Sequence, residues 1–268
     1  MKFCTSYYQS ESIRTKVDEL RFSISSLNYA LEYSERHPEK KVIVEILDLH
    51  KEHTPSIEKL FQLQTENLYI YYDFYSLSDL VEYCQTLDKK PNHIMFHTPV
   101  ATWGLVQILL YYHVSDITIG EPLIFNVNEL QKNIHSQGVT IRIRPDKART
   151  GIETTLVEES GINHFWLLPQ HISLYENYVD VIDLIDNSVT RESELVNIYT
   201  RNQPYSAMID TLILGLNCPI GADFFDDKFA VRRLTCGQTC IKNKNNCHFC
   251  DQYAKMYDVI AAQRKSSN

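Results

Sequence analysis

The stretch Thr140-Ile141-Arg142-Ile143-Arg144 alternates apolar and charged residues. In a β-strand, successive side chains point to opposite faces, so Ile141 and Ile143 share one face and Arg142 and Arg144 the other. In a barrel strand those faces meet the outer helices and the barrel axis, and the apolar set belongs to the helices. Read this way, the stretch sends two arginines toward a closed axis.

Seven other short segments rich in β-branched or aromatic residues also read as strands: 20–24, 42–47, 68–74, 93–97, 116–120, 164–168 and 179–185. Their spacing is nearly even until a shorter last step. The units share no sequence identity, so the period is structural. Amphipathic stretches at 26–37, 56–66, 78–87, 102–113 and 127–137 read as helices between them. Eight strands alternating with helices predict an α/β fold, an irregular (β/α)8 TIM-type barrel over residues 1–216. The competing fold, an open doubly wound sheet, is disfavoured by the strand number. It also lacks a glycine-rich phosphate loop after the first segment. Irregularity is expected at 148–161, which is threonine-rich, and at 174–178, which has room for a turn or two. Further helices are predicted at 192–201, 208–216 and 251–263.

The same parity rule points Arg21 and Ser23 inward, with Glu45, Tyr69, Tyr71, Asp73, His97 and Asp183. Three arginines then face three carboxylates, Glu45, Asp73 and Asp183. Buried charges are tolerated only when paired, so the match is consistent with an interior location. Two uses compete. Arg21, Glu45 and Arg142 suit a structural ion network in mid-barrel. Residues late in their strands suit a site at the C-terminal mouth, where barrel enzymes hold their chemistry: Asp48, Asp73, His97, Glu121, Arg144 and Asp186. The candidate catalytic set is Asp73, His97, Glu121 and Arg144. Arg144 has the planar fork that grips carboxylate or phosphate. His97 suits general acid–base work with Asp73 orienting it. The bland reading is a hydrogen-bonded histidine at a strand end. No Gly-x-Ser-x-Gly elbow, P-loop or His-Glu-x-x-His is present. His50 and His53 flank Glu52 in what reads as exposed loop.

Ile119-Gly120-Glu121-Pro122-Leu123 locally resembles the Gly-Glu-Pro segment of radical SAM enzymes. The resemblance covers these residues alone. The three-cysteine motif those enzymes carry near an early strand is missing, and their Gly-Glu-Pro follows an earlier strand than the fifth. A glycine ending a strand and a proline opening a turn account for the same residues.

Residues 217–268 form a different kind of region, predicted as a compact cysteine-rich zinc subdomain with a terminal helix. Cys236, Cys240, Cys247 and Cys250 follow the pattern Cys-x3-Cys-x6-Cys-x2-Cys. Two close pairs on a polar, turn-prone loop can converge on one ion as a closed tetrahedral thiolate shell for zinc. Their spacing is shorter than in common zinc ribbons, which leaves an iron–sulfur cluster as the alternative. Cys218 is a reserve ligand, and His248 could replace one sulfur. A structural metal would hold a segment too small to bury much core, by roughly 10 kcal/mol or more of coupled binding and folding.

The formal charge of −8 excludes the dense basic surface of a sequence-independent DNA binder. Lys228, Arg232, Arg233, Lys242 and Lys244 still offer a local basic patch in the tail for a protein or nucleic-acid partner. The N-terminus turns polar at once, and the longest apolar run, at 105–112, is far below the ~20 residues of a membrane span. The expectation is a soluble, cytoplasmic protein. Seven cysteines, an odd number, point to reduced thiols or metal ligands over a disulfide framework. Three functions fit: a barrel enzyme acting on a small anionic or phosphorylated substrate, a non-catalytic scaffold docking through its zinc tail, and an iron–sulfur barrel enzyme that modifies RNA.

Overall fold

The structure, a computed structural model, describes residues 1–46, 62–63, 65–86, 93–120, 123–125, 127–144, 169–186, 188–201, 259 and 262. Eight parallel strands close into a barrel in sequence order. They are β1 (Lys2–Ser6), β2 (Glu19–Ser23), β3 (Lys41–Ile46), β4 (Leu68–Phe74), β5 (Ile94–Val100), β6 (Asp116–Ile119), β7 (Thr140–Ile143) and β8 (Val181–Asp183). The described helices are α1 (Glu11–Arg14), α2 (Leu27–Arg36), α3 (Leu77–Thr86), α4 (Trp103–Tyr111), α5 (Val127–Asn133) and α6 (Val189–Tyr199).

Seven of the eight strands fall where the sequence places them. The eighth position in the ring is a correction. β1 pairs with β2 on one side and β8 on the other, and β7 pairs directly with β8. The predicted strand at 164–168 lies outside the described residues. β1 escaped notice because Lys2-Phe3-Cys4-Thr5-Ser6 is short and carries one large apolar side chain.

Period-2 alternation sorts the strands into two cores. Leu20, Phe22, Val42, Val44, Leu68, Ile70, Ile117, Ile119, Ile141 and Ile143 face outward. They pack against helix residues such as Ala30, Leu80, Val106, Leu109 and Leu195. The inner apolar cluster is small: Ile43, Tyr71 and Met95, with Tyr69 beside them. Polar residues occupy much of the remaining axis.

Local devices hold the strands in place. The Asn67 amide donates to the carbonyls of Ser34, His37 and Lys40, closing the end of α2 before β4 begins. Thr102 caps α4 by accepting from the Leu105 amide at 3.3 Å. Gly138, at φ 72°, makes the left-handed turn into β7 that a side chain would strain. The seam between first and last strands is held by Glu192 of α6. Its Oε1 accepts from the Ser6 amide at 2.6 Å, from the Ser6 hydroxyl at 2.8 Å and from the Thr5 hydroxyl. Its Oε2 accepts from the Asp186 amide at 3.2 Å. No helix of the described residues is long and apolar enough to cross a membrane.

Candidate functional site

The barrel interior carries two ionic clusters, one at each end. At the N-terminal base, Arg142 of β7 donates from Nε to Asp116 Oδ1 and from Nη2 to Glu19 Oε2, both at 2.8 Å. Lys41 Nζ lies 3.6 Å from Glu19 Oε1 and donates to the Tyr71 hydroxyl at 3.0 Å, and Tyr71 stands beside Asp116. Two cations therefore meet two carboxylates, and Arg142, Glu19 and Asp116 are sealed from solvent. Burial alone would push Glu19 and Asp116 upward. The Arg142 and Lys41 charges outweigh it and hold both carboxyls below their usual range. This network corrects the sequence-based grouping, which put Arg142 with Arg21 and Glu45. Its true partners begin their strands: Glu19 falls one residue before the predicted segment, and Asp116 opens β6.

At the C-terminal end, Arg21 lies between two carboxylates. Its Nη1 is 2.9 Å from Glu45 Oε1 and its Nη2 is 2.9 Å from Asp183 Oδ2. These are Coulombic contacts without hydrogen-bond alignment, and the Glu45 and Asp183 oxygens involved accept no hydrogen bond among the described residues. His97 Nδ1 sits 3.2 Å from Asp73 Oδ2 and 3.4 Å from Arg21 Nη1. His97 Nε2 lies 2.7 Å from Arg144 Nη1. Arg144 Nη2 donates to the Ile185 carbonyl at 2.7 Å. Asp73 is wholly buried, and neither of its oxygens accepts a hydrogen bond among the described residues.

The geometry assigns the tautomer of His97. A guanidinium has donors and no acceptor. The 2.7 Å contact is a hydrogen bond only if Nε2 presents its lone pair to Arg144, which puts the ring proton on Nδ1, beside Asp73. Arg21 approaches the same Nδ1 from 3.4 Å and cannot be accepted there as well. In that arrangement His97 is an oriented imidazole whose Nε2 is occupied by Arg144.

Charge is uneven in this upper cluster: Arg21 and Arg144 face Glu45, Asp73 and Asp183. Burial pushes Asp183 upward, but Arg21 and then Arg144 overcome it and hold the carboxyl well below its usual range. Glu45 goes the other way. Burial pushes it up, Arg21 opposes this, and the nearby Asp73 charge adds to the rise. Tyr75 lies against His97 at 4.8 Å between ring centroids, and its phenol is pushed up to about 12 by burial and by Asp73.

The structure brings together three of the four candidate catalytic residues, Asp73, His97 and Arg144. Glu121 and Asp48 lie outside the described residues, as do His50, His53 and the cysteines at 236, 240, 247 and 250. Asp186 belongs to a turn instead of the site: its Oδ1 accepts from the Ser188 amide at 2.9 Å, ahead of α6. Glu45, read from sequence as a structural partner, stands in the mouth cluster beside Arg21. Among the described residues no group of three or more His, Cys, Asp or Glu side chains is arranged to hold a metal ion.

No family model and no curated protein matches this sequence. Among solved structures the chain is similar to 3-keto-L-gulonate-6-phosphate decarboxylase from Vibrio cholerae O1 biovar El Tor. Identity there is 9%, over 76% of this chain and 99% of that one, with a TM-score of 0.37. Orotidine 5'-phosphate decarboxylase from Thermotoga maritima gives 9% identity over 74% and 98% of the two chains, with a TM-score of 0.41. A glycerol uptake operon antiterminator-related protein from Thermotoga maritima MSB8 gives 11% over 73% and 98%, with a TM-score of 0.39. Likeness at this level carries no argument about chemistry. The fold assignment rests on the closed ring of strand pairings.

Proposed function

We propose that the protein is a barrel enzyme acting on a small anionic or phosphorylated molecule at the C-terminal mouth. The supporting observation is Arg144. Arg21 and Arg142 each have two carboxylate partners, whereas among the described residues no carboxylate lies within ion-pair distance of Arg144. Its Nε is buried without a hydrogen-bond partner, as are nitrogens of Arg21 and Arg142, so the difference is the missing acid. A buried guanidinium held by one imidazole and one carbonyl retains donors and charge for an anion. An anion engaging Arg144 would draw Nη1 away from His97. That frees the Nε2 lone pair to act as a base, with Asp73 beside Nδ1 to stabilise the imidazolium that forms.

The test is thermal unfolding of the full chain with inorganic phosphate, sugar phosphates and their uncharged parent sugars. Phosphorylated compounds should raise the midpoint and uncharged ones should not. Arg144→Met should weaken the best ligand by roughly 10- to 100-fold, the worth of a charge-assisted pair. Equal binding by Arg144→Met, or no stabilisation by any anion tried, removes the anchor.

One observation favours a non-catalytic scaffold instead: Arg144 and His97 are already in contact at 2.7 Å, and both are buried. That reading gains if no small anion binds.

For the tail, the proposal is one zinc ion held by Cys236, Cys240, Cys247 and Cys250, with the nearby basic residues as a docking surface for a protein or nucleic-acid partner. Four thiolates in two close pairs have the donor chemistry of a structural zinc site. Metal analysis should find one zinc per chain in colourless protein, and substitution of Cys247 by Ser should abolish it. Iron with matching acid-labile sulfide in brown protein would replace zinc with an iron–sulfur cluster.

A further inference from the structure

We propose that Tyr75 sets the substrate class: a flat ring carried by the molecule anchored at Arg144 stacks on it, so the mouth takes aromatic anions in preference to open-chain ones. The inference rests on the anion-site reading and adds the body of the ligand to its charge.

Three observations carry it. The first is placement. From β4, Tyr71 and Asp73 point into the barrel while Phe74 packs outward. Tyr75 follows β4 directly and continues the inner face. Its ring lies 4.8 Å from that of His97, tilted by 48°. The second is exposure. Tyr71, earlier on the same face, is 2% exposed, whereas Tyr75 is 52% exposed. Tyr29 and Tyr111 are also exposed, but they lie on the outer helices α2 and α4. Tyr75 thus leaves apolar ring surface open to water where the lining is otherwise ionic, and forgoes the burial that stabilises Tyr71. The third is fixation. The Thr98 hydroxyl of β5 donates to the Tyr75 carbonyl at 2.5 Å. Ser76, next in the chain, accepts from the Asp79 amide at 3.2 Å at the start of α3. Backbone held on both sides makes a platform that needs little ordering when a ligand arrives.

His97 joins this ring to the anchor. Arg144 meets its Nε2 at 2.7 Å, and Tyr75 covers the same imidazole. A phosphate or carboxylate on Arg144 therefore brings a ring attached to it alongside Tyr75. A short open-chain anion has the charge but nothing flat to stack. Burial and the Asp73 charge push the phenol up to about 12, so the platform is uncharged at neutral pH and does not repel the anion. Aromatic pairs prefer offset or tilted contacts, and the exposed side of Tyr75 is free to make one.

The test compares phenyl, cyclohexyl and methyl phosphate, titrated into the full chain. Wild type should hold phenyl phosphate about 10-fold tighter than either of the others. Tyr75→Phe should keep that preference. Tyr75→Leu, which retains apolar bulk without a flat face, should lose it while binding methyl phosphate as wild type does. The unchanged methyl phosphate affinity would show Arg144 and His97 still in place. Equal affinity of wild type for phenyl and cyclohexyl phosphate overturns the proposal, as does a preference that survives in Tyr75→Leu. Loss of all three ligands in Tyr75→Leu also overturns it, by making the ring a support for His97. If methyl phosphate binds and phenyl phosphate is no tighter, the platform falls and the Arg144 anchor stands. If none of the three binds wild type, both fall.

Discussion

The two ends of the barrel interior solve one problem differently. Each buries arginine and acid on the axis of eight strands. At the base, Arg142, Lys41, Glu19 and Asp116 balance in charge, and both Arg142 pairs are aligned hydrogen bonds at 2.8 Å. At the mouth, carboxylates outnumber guanidiniums, and the Arg21 pairs are close without being aligned. Asp73 accepts no aligned hydrogen bond among the described residues, and Arg144 has no described acid within ion-pair distance. Both ends keep an unpartnered guanidinium nitrogen, Arg142 Nη1 at the base and Arg144 Nε at the mouth, so the contrast lies in charge: a matched set specifies a structure, while an unmatched one awaits a partner. The base therefore reads as architecture and the mouth as a site.

The sharpest way to break this contrast is to remove the central cation at each end. Arg142→Met strands two buried carboxylates and should cost about 3–5 kcal/mol in chemical denaturation, or prevent folding. Arg144→Met strands no described acid and should cost about 1–2 kcal/mol, the loss of hydrogen bonds to His97 and Ile185. If the two variants lose the same stability, Arg144 is as structural as Arg142 and the distinction fails.

How much of this was visible beforehand follows from parity. Alternation in Thr140–Ile143 and its neighbours locates the outer and inner faces, so the inward placement of Arg21, Glu45, Asp73, His97, Arg142 and Arg144 needs no coordinates. Partnership does not follow from parity. Strand stagger brings residue 142 to the height of residues 19 and 116, not of residue 45, and register shifts of this kind have no one-dimensional signal. β1 was hidden for a related reason. Its inward Cys4 is enclosed by charged neighbours, and its Thr5 is held by Glu192, so little of the strand is hydrophobic. Glu192 itself looks like any first-turn acid of a helix. Its role as the seam clamp depends on a contact 187 residues away.

Acid and base should act on different carboxyls. Glu19, Asp116 and Asp183 have folded-state carboxyls below their unfolded values despite burial, because the facing cations dominate. Their contribution is complete above the unfolded carboxylate range and is lost as pH falls through the lowered folded values. Glu45 has the opposite sign. Its contribution is complete below the ordinary value of 4.5 and is lost as pH rises through its raised folded value. Unfolding free energy measured across pH should thus fall at the acid end, and less steeply in Asp116→Asn. Glu45→Gln should flatten the decline on the rising side alone. A Glu45→Gln profile parallel to wild type throughout would mean its carboxyl is not raised.

The smallest expected effects give the finest test, because each cluster keeps one ionisable residue at its solvent edge. Lys41 at the base is 21% exposed and contacts Glu19 and Tyr71, and Glu45 at the mouth is 13% exposed and contacts Arg21. Lys41→Met leaves the base with an excess acid. Arg142 still serves both carboxylates, so the loss should be only about 1 kcal/mol. Glu45→Gln removes a carboxyl from the end that carries one more carboxyl than guanidinium, and should leave stability unchanged within about 0.5 kcal/mol at neutral pH. Neutralising the edge should therefore weaken a balanced cluster and leave an unbalanced one intact. The reverse order, with Glu45→Gln costing more than Lys41→Met, would show that the mouth is the end whose charges are matched.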